Sequence, residues 1–170
     1  MTHQEIAPLP DGYRVELLAG HERVGFDEVI GFWTQEGAMP ATEAGRRVHE
    51  ALFVGIGPGG ELTGVSTAFL QRSRQLRTTF WYLRMFVAAD HRKGNLAFRL
   101  LLACRDHLRE RHESGADRQA AGAMVEVQHR GLRGHLVDAT WRSDFTFVGQ
   151  NAGGDHMRVH WFPGAVAPLP

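Results

Sequence analysis

TFWYLRMFVAADHRKGNLAFRLLLACRDHLRERHE, residues 79–113, is the stretch on which the fold turns. Its first ten residues, 79–88, read as a buried strand. Phe80, Trp81, Tyr82, Phe86 and Val87 favour extended backbone, and neither Gly nor Pro interrupts them. From Leu96 the period changes to that of a helix. Ala97, Leu100, Leu101, Cys104 and Leu108 recur at offsets of three, four and seven and form one apolar stripe. Arg105, Arg109, Glu110 and Arg111 lie mostly off it, and Gly115 marks the stop. Between strand and helix sits Asp90-His91-Arg92-Lys93-Gly94-Asn95. The N–H groups that open a helix have no acceptor within it. With the positive end of the dipole and two cations beside them, they suit a phosphate-bearing ligand.

Working outward, Tyr13-Arg-Val-Glu-Leu-Leu alternates as a first strand. Phe26, Val29, Ile30 and Trp33 recur at helical spacing until Gly37 and Pro40 break it. Residues 42–51 read as a second short helix, capped by Thr42 with acids in its first turn. Leu52-Phe-Val-Gly-Ile and residues 62–70 flank Gly57-Pro-Gly-Gly, which reads as a hairpin. That glycine run lacks the Lys-Ser/Thr ending of a phosphate loop and no helix follows it, so it is a turn. Downstream, Met124-Val-Glu-Val-Gln is a short strand, and a helix is expected over 132–141. Phe145-Thr-Phe-Val and residues 156–162 close the chain as two strands around Asn151-Ala-Gly-Gly-Asp. The Ala-Pro-Leu-Pro at 7–10 and again at 167–170 reads as extended terminal segments.

Val87-Ala-Ala-Asp-His-Arg92-Lys-Gly-Asn-Leu-Ala97 resembles the acyl-CoA-binding motif of the GNAT N-acetyltransferase superfamily. That motif is a strand ending in Val, then Arg or Gln-x-x-Gly-x-Gly or Ala at the start of a long helix. Aligned without a gap, Arg92 takes the Arg position, Ala97 the final small position, and Asn95 replaces the central Gly. Asn can adopt left-handed backbone or cap a helix, so the replacement is mild. A shift by one residue would put Gly94 on the Gly but His91 on the Arg and Leu96 on the small residue. The expected order β-α-α-β-β-β-α-β-α-β-β is also that of the GNAT fold. The resemblance implies a single α/β domain over 1–170, a mixed, mostly antiparallel sheet flanked by helices.

It further implies direct transfer of an acyl group from acetyl-CoA, or a similar acyl-CoA, to an amine of a small molecule or peptide. Arg92 and the amides around Lys93, Gly94, Asn95, Leu96 and Ala97 would hold the pyrophosphate. Phe86, Val87 and Ala88 would pair their backbone with the pantetheine arm, and an N–H near Val87 would stabilise the oxyanion. Two departures stand out. Residues 78–88 contain no carboxylate or histidine to act as base, and the only tyrosines, Tyr13 and Tyr82, lie outside the helix that supplies the family's acid. The substitutes are Glu126, on the short strand beside the cofactor strand, and His129 at its end. Each also reads as a solvated polar residue. The alternative function is a GNAT-fold CoA- or ligand-binding protein without transferase activity.

Other residues carry plainer readings. Cys104 lies on the apolar stripe as a small buried filler. His156, Arg158 and His160 alternate against Met157, Val159 and Trp161, which suggests a solvated sheet face rather than a metal site. His135 and Asp138 share a helix face as a surface pair. Phe32 and Trp33 either line the acceptor pocket or, as their spacing suggests, belong to the core.

Lys plus Arg and Asp plus Glu both number 19, so no overall positive field favours nucleic acid or anionic membrane. The 43% apolar content over 170 residues suits one globular domain. One cysteine provides for neither a disulfide framework nor a cysteine-based zinc site, and no metal is expected. The start, Met1-Thr-His-Gln-Glu-Ile-Ala-Pro, lacks the features of a secretion signal, and no apolar run nears the ~20 residues of a membrane span. A soluble cytoplasmic protein is expected, with an acyl-CoA and an amine as partners and a homodimer left open.

Overall fold

The computed structural model describes residues 8–92, 94–128 and 137–168. The elements are β1 (Arg14–Leu17), α1 (Phe26–Gln35), α2 (Ala41–Arg47), β2 (Ala51–Ile56), β3 (Leu62–Arg72), β4 (Thr79–Val87), α3 (Leu96–Glu113), β5 (Gly122–Val127), β6 (Thr146–Gln150) and β7 (His156–Trp161). Short 3-10 turns at Val48–Glu50 and Ala89–His91 precede β2 and α3. The sheet order is β1-β2-β3-β4-β5-β7-β6. β1 with β2, β2 with β3, β5 with β7 and β6 with β7 pair antiparallel. β4 and β5 are parallel through only two pairs, Trp81↔Ala123 and Tyr82↔Met124.

The chain falls into two compact units. Among the described residues, one comprises 8–68 and 84–104 and the other 69–83 and 105–168.

In the first unit, alternation along the strands separates two apolar clusters. Val54 and Phe86 join Val29, Phe32, Trp33, Ala44 and Val48 from α1, α2 and the turn after them. Their strand neighbours Phe53 and Val87 join Leu96 and Leu100 from the start of α3. Successive strand residues face opposite ways, so helices cover both faces of this part of the sheet. α3 seats closely because the strands beneath it offer glycine. A Cβ on Gly55 would lie 2.9 Å from Leu96 Cδ1, and one on Gly64 would lie 3.1 Å from Leu100 Cδ1.

In the second unit Phe80, Tyr82, Met124, Met157 and Val159 form one cluster, with Phe69, Leu76 and Val148 against it. On the other face of β7, Arg158 is 1% exposed. Its Nη1 donates to the carbonyls of Asp138 and Ala139 at 2.8 and 3.3 Å, and its guanidinium stacks 4.1 Å over the Trp141 ring.

That contact corrects two expectations. Of the helix expected over 132–141, residues 132–136 lie outside the described residues, and 137–141 are not helical. Thr140 bridges Thr146 instead, and the carbonyls of Asp138 and Ala139 accept from Arg158. The face of His156, Arg158 and His160 is therefore covered at Arg158 rather than solvated. Two smaller corrections concern helix starts and stripes. α2 begins at Ala41, with Pro40 in the N-cap position and no side-chain cap, so Thr42 is already inside the helix. On α3 the buried set is Leu96, Leu100, Leu101, Leu102, Cys104 and Leu108, whereas Ala97 is exposed. The stripe follows i, i+4 steps from Leu96 and leaves Ala97 on the outer side of the first turn.

Candidate active site

The first unit builds the turn between β4 and α3. The Ala88 N–H still donates to the Thr63 carbonyl on β3 at 2.9 Å. Backbone groups alternate along a strand, so the N–H and C=O of Val87 leave β4 on the side away from β3. Arg92 folds back to this point. Its Nε donates to the Val87 carbonyl at 2.9 Å, and its guanidinium lies 5.8 Å from the Phe86 ring centre. The strand end thus fixes the Arg92 side chain.

The turn is braced from the chain's beginning. Tyr13 Oη and His91 Nδ1 are 2.6 Å apart, and Pro10 packs where a side chain at Gly94 would go, 3.0 Å from that Cβ position. A side chain at 94 would press on Pro10, and glycine fits this close approach. Lys93 lies outside the described residues. α3 opens with Arg99 N–H donating to Asn95 O at 2.8 Å, so Asn95 occupies the position before the helix. Among the described residues the non-glycine positions with positive φ are Arg77 and Asp144, so Asn95 is not left-handed where it precedes the helix. The Leu96 side chain is 1% exposed beneath Gly55, so only its backbone can meet a ligand, while Ala97 stays small and open. The result is an arginine, a group of helix-opening amides and an extended strand end held in one turn.

The second unit holds Glu126. It is half-buried on β5, two residues past Met124 and on the same face. Its Oε2 accepts from Asn151 Nδ2 at 3.2 Å. Burial raises the Tyr82 hydroxyl above the usual tyrosine range, the charge of Glu126 raises it further, and a bond with Ser73 opposes both. His129 lies outside the described residues, as does His135 of the expected His135–Asp138 pair.

Other candidates prove structural. Cys104 is fully buried, its Sγ donates to Ser66 Oγ at 3.0 Å, and burial pushes its thiol up to about 12, so it is a poor nucleophile. Phe32 and Trp33 are core, with Phe32 edge-on to Phe86. Gly57–Gly60 is a turn closed by the Gly60 N–H on the Gly57 carbonyl. Among the described residues no group of three or more His, Cys, Asp or Glu is placed to hold a metal ion, and no helix is long and apolar enough to cross a membrane.

Sequence reading missed Asn151 and the Tyr13–His91 contact. Asn151 carried a local signal only as a turn residue, and its partner Glu126 is 25 positions away. Tyr13 and His91 are separated by 78 positions, beyond any periodicity.

By sequence the chain matches no family model and no curated protein. By structure it is similar to the GNAT-family acetyltransferase from Streptococcus pneumoniae, with a TM-score of 0.58 and 11% identity over 88% of this chain and 99% of that one. It is also similar to the ribosomal-protein-S5-alanine acetyltransferase from Vibrio fischeri, with a TM-score of 0.58 and 9% identity over 95% and 100% of the two chains. NAA60 of Arabidopsis thaliana, solved in complex with acetyl-CoA, aligns with a TM-score of 0.58 and 14% identity over 88% and 99%. The fold is the GNAT fold.

Proposed function

We propose that this chain, as one transferase domain over 1–170, moves an acyl group from acetyl-CoA or a similar acyl-CoA to an amine of a small molecule or peptide. The observation that carries this reading is the β4–α3 turn, in which Arg92 is tied to the Val87 carbonyl beside the amides that open α3. The GNAT fold and the acetyl-CoA complex of NAA60 support the choice of cofactor. We expect it to act in the cytoplasm.

In this scheme Arg92, Lys93 and the amides of Gly94, Asn95, Leu96 and Ala97 hold the pyrophosphate. The guanidinium carries N–H groups beyond the one given to Val87. The backbone of Phe86, Val87 and Ala88 pairs with the pantetheine arm. The amine nitrogen then attacks the thioester carbon directly, and the Val87 N–H receives the oxyanion of the tetrahedral intermediate. The C–S bond breaks, CoA leaves as a thiolate and takes up a proton, and the amide product forms. Alignment of two reactants provides much of the rate.

An alkylamine is protonated at neutral pH and must lose that proton before it attacks. Glu126 takes it, directly or through one water, with His129 as the other group assigned to proton transfer. Glu126→Gln keeps size and hydrogen bonding while deleting the base. Its expected effect is a fall in kcat of about a hundredfold or more, with acetyl-CoA affinity within a few-fold of the parent. The measurement is CoA thiol release with a panel of amines, beside calorimetric binding. Acetyl-CoA binding without thioester consumption across the panel would instead mark a CoA-binding protein that lacks transfer. Normal turnover by the variant would remove Glu126 from the mechanism.

A further inference from the structure

The turn that joins β6 to β7 is closed by one oxygen of Asn151. Its Oδ1 accepts the backbone N–H groups of Gly153 and Asp155, both at 2.9 Å. The two hydrogens of the amide nitrogen remain, and both face carboxylates. Nδ2 lies 3.2 Å from Glu126 Oε2 and 3.3 Å from Asp155 Oδ2. Asn151 therefore makes two separable sets of bonds, one that shapes the turn and one that reaches 25 positions back to β5.

The chemistry of this contact suits a base. A lysine or arginine beside Glu126 would hold its carboxylate strongly in the charged form and weaken it as a proton acceptor. A neutral amide fixes one oxygen in place and leaves the group's second oxygen as an acceptor. It also stands between two like charges, Glu126 and Asp155, which share its donors. Among the described residues, the Tyr82 hydroxyl, on the same face of the sheet, also feels the charge of Glu126.

We propose that Asn151 is a positioning residue: its amide holds Glu126 Oε2 so that Oε1 is presented to the proton of the amine. This rests on the assignment of Glu126 as the base. It adds that the β6–β7 turn sets the geometry of that base, so that a change in the turn is felt in catalysis.

Asn151→Asp separates the two roles. It keeps an oxygen for the Gly153 and Asp155 amides, deletes the donor, and adds a charge against Glu126. Asn151→Ser adds no charge and replaces the amide by a shorter hydroxyl, which withdraws the Nδ2 donor from Glu126, and it serves as the second variant should the first fold poorly. Circular dichroism and thermal melts establish folding in both. The expected result is a fall in kcat of about tenfold or more in either variant, with KM for acetyl-CoA changed by less than about threefold. In Asn151→Asp the acidic limb of the kcat profile also moves to higher pH. In a Glu126→Gln background the same substitutions should change kcat by less than about twofold, since the partner they act through is gone. Carbon-13 NMR of the Glu126 carboxyl supplies a readout independent of any acceptor, and its titration midpoint should be higher in Asn151→Asp than in the parent. Equal losses in both backgrounds would show that Asn151 acts through the turn alone and would overturn the proposal. An unmoved midpoint together with normal kcat would do the same. A Glu126→Gln enzyme that turns over normally would defeat the base assignment itself, and the proposal with it.

Discussion

At the scale of single residues, burial decides which reactive groups are chemistry and which are packing. Cys104 has a nucleophile's side chain, yet it is enclosed on α3 with Ser66 as its partner and its thiol is pushed up to about 12. Cys104→Ala should cost roughly 1–2 kcal/mol through lost packing and leave turnover intact. Mass spectrometry of the parent under turnover should show no acylated Cys104. A pH dependence follows with a definite sign. The folded thiol ionises well above the ordinary value near 9 and the unfolded one does not, so the unfolded chain releases the proton first. Stability from this residue is full below about pH 9 and falls as pH rises toward 12. Denaturant midpoints of parent and Cys104→Ala should therefore converge across that window, and parallel curves would contradict the assignment.

At the scale of elements, the determining contact is between α3 and the strands beneath it. Gly64 is the less forgiving case, because its Cβ position meets the backbone carbonyl of Phe86 at 3.3 Å as well as Leu100 and Val87. Gly64→Val should destabilise the fold by about 1–3 kcal/mol, since a backbone oxygen cannot step aside as a side chain can. Chemical denaturation measures it, and a loss below about 0.5 kcal/mol, the level of a neutral surface change, would show that α3 seats less closely. The start of α3 follows from the same contact. Leu96 is pinned under Gly55, which fixes where the helix opens and hence where its unpaired amides stand. The segment 137–141 shows the reverse situation, in which a single buried arginine outweighs local helical spacing. Arg158 offers charged donors to two carbonyls and a guanidinium that stacks on the Trp141 ring, and each such charged hydrogen bond is worth about 1.5–3 kcal/mol against tenths for helix propensity.

At the scale of the whole molecule, binding and folding are linked. Acetyl-CoA at about a hundred times its dissociation constant should add roughly 2.7 kcal/mol to stability. For a chain of this size that corresponds to a rise in Tm of about 5–10 °C. Arg92→Ala should bind about tenfold more weakly and show a smaller shift at the same ligand concentration, because one charge-assisted contact to phosphate is gone. Differential scanning fluorimetry reads both. An unmoved parent Tm at millimolar acetyl-CoA would remove the cofactor from the proposal.

The sequence by itself determined the elements whose signals are local and dense. Residues 79–113 contain an uninterrupted strand, a basic turn and an amphipathic helix, and period and composition identify each within a few residues. The motif resemblance and the order of elements then pointed to the GNAT fold, which the structure has. The face of Glu126 was legible because alternation along five residues sets it, whereas its half-burial was not. Tertiary structure alone decided the contacts between distant positions. The Asn151–Glu126, Tyr13–His91 and Arg158–Asp138 bonds join residues 25, 78 and 20 positions apart, and none leaves a trace in local periodicity. The exposure of Ala97, the irregular 137–141 segment and the covered Arg158 have the same cause. Burial and long-range hydrogen bonds act through space, at energies above local preference, and they exist only once the strands are paired.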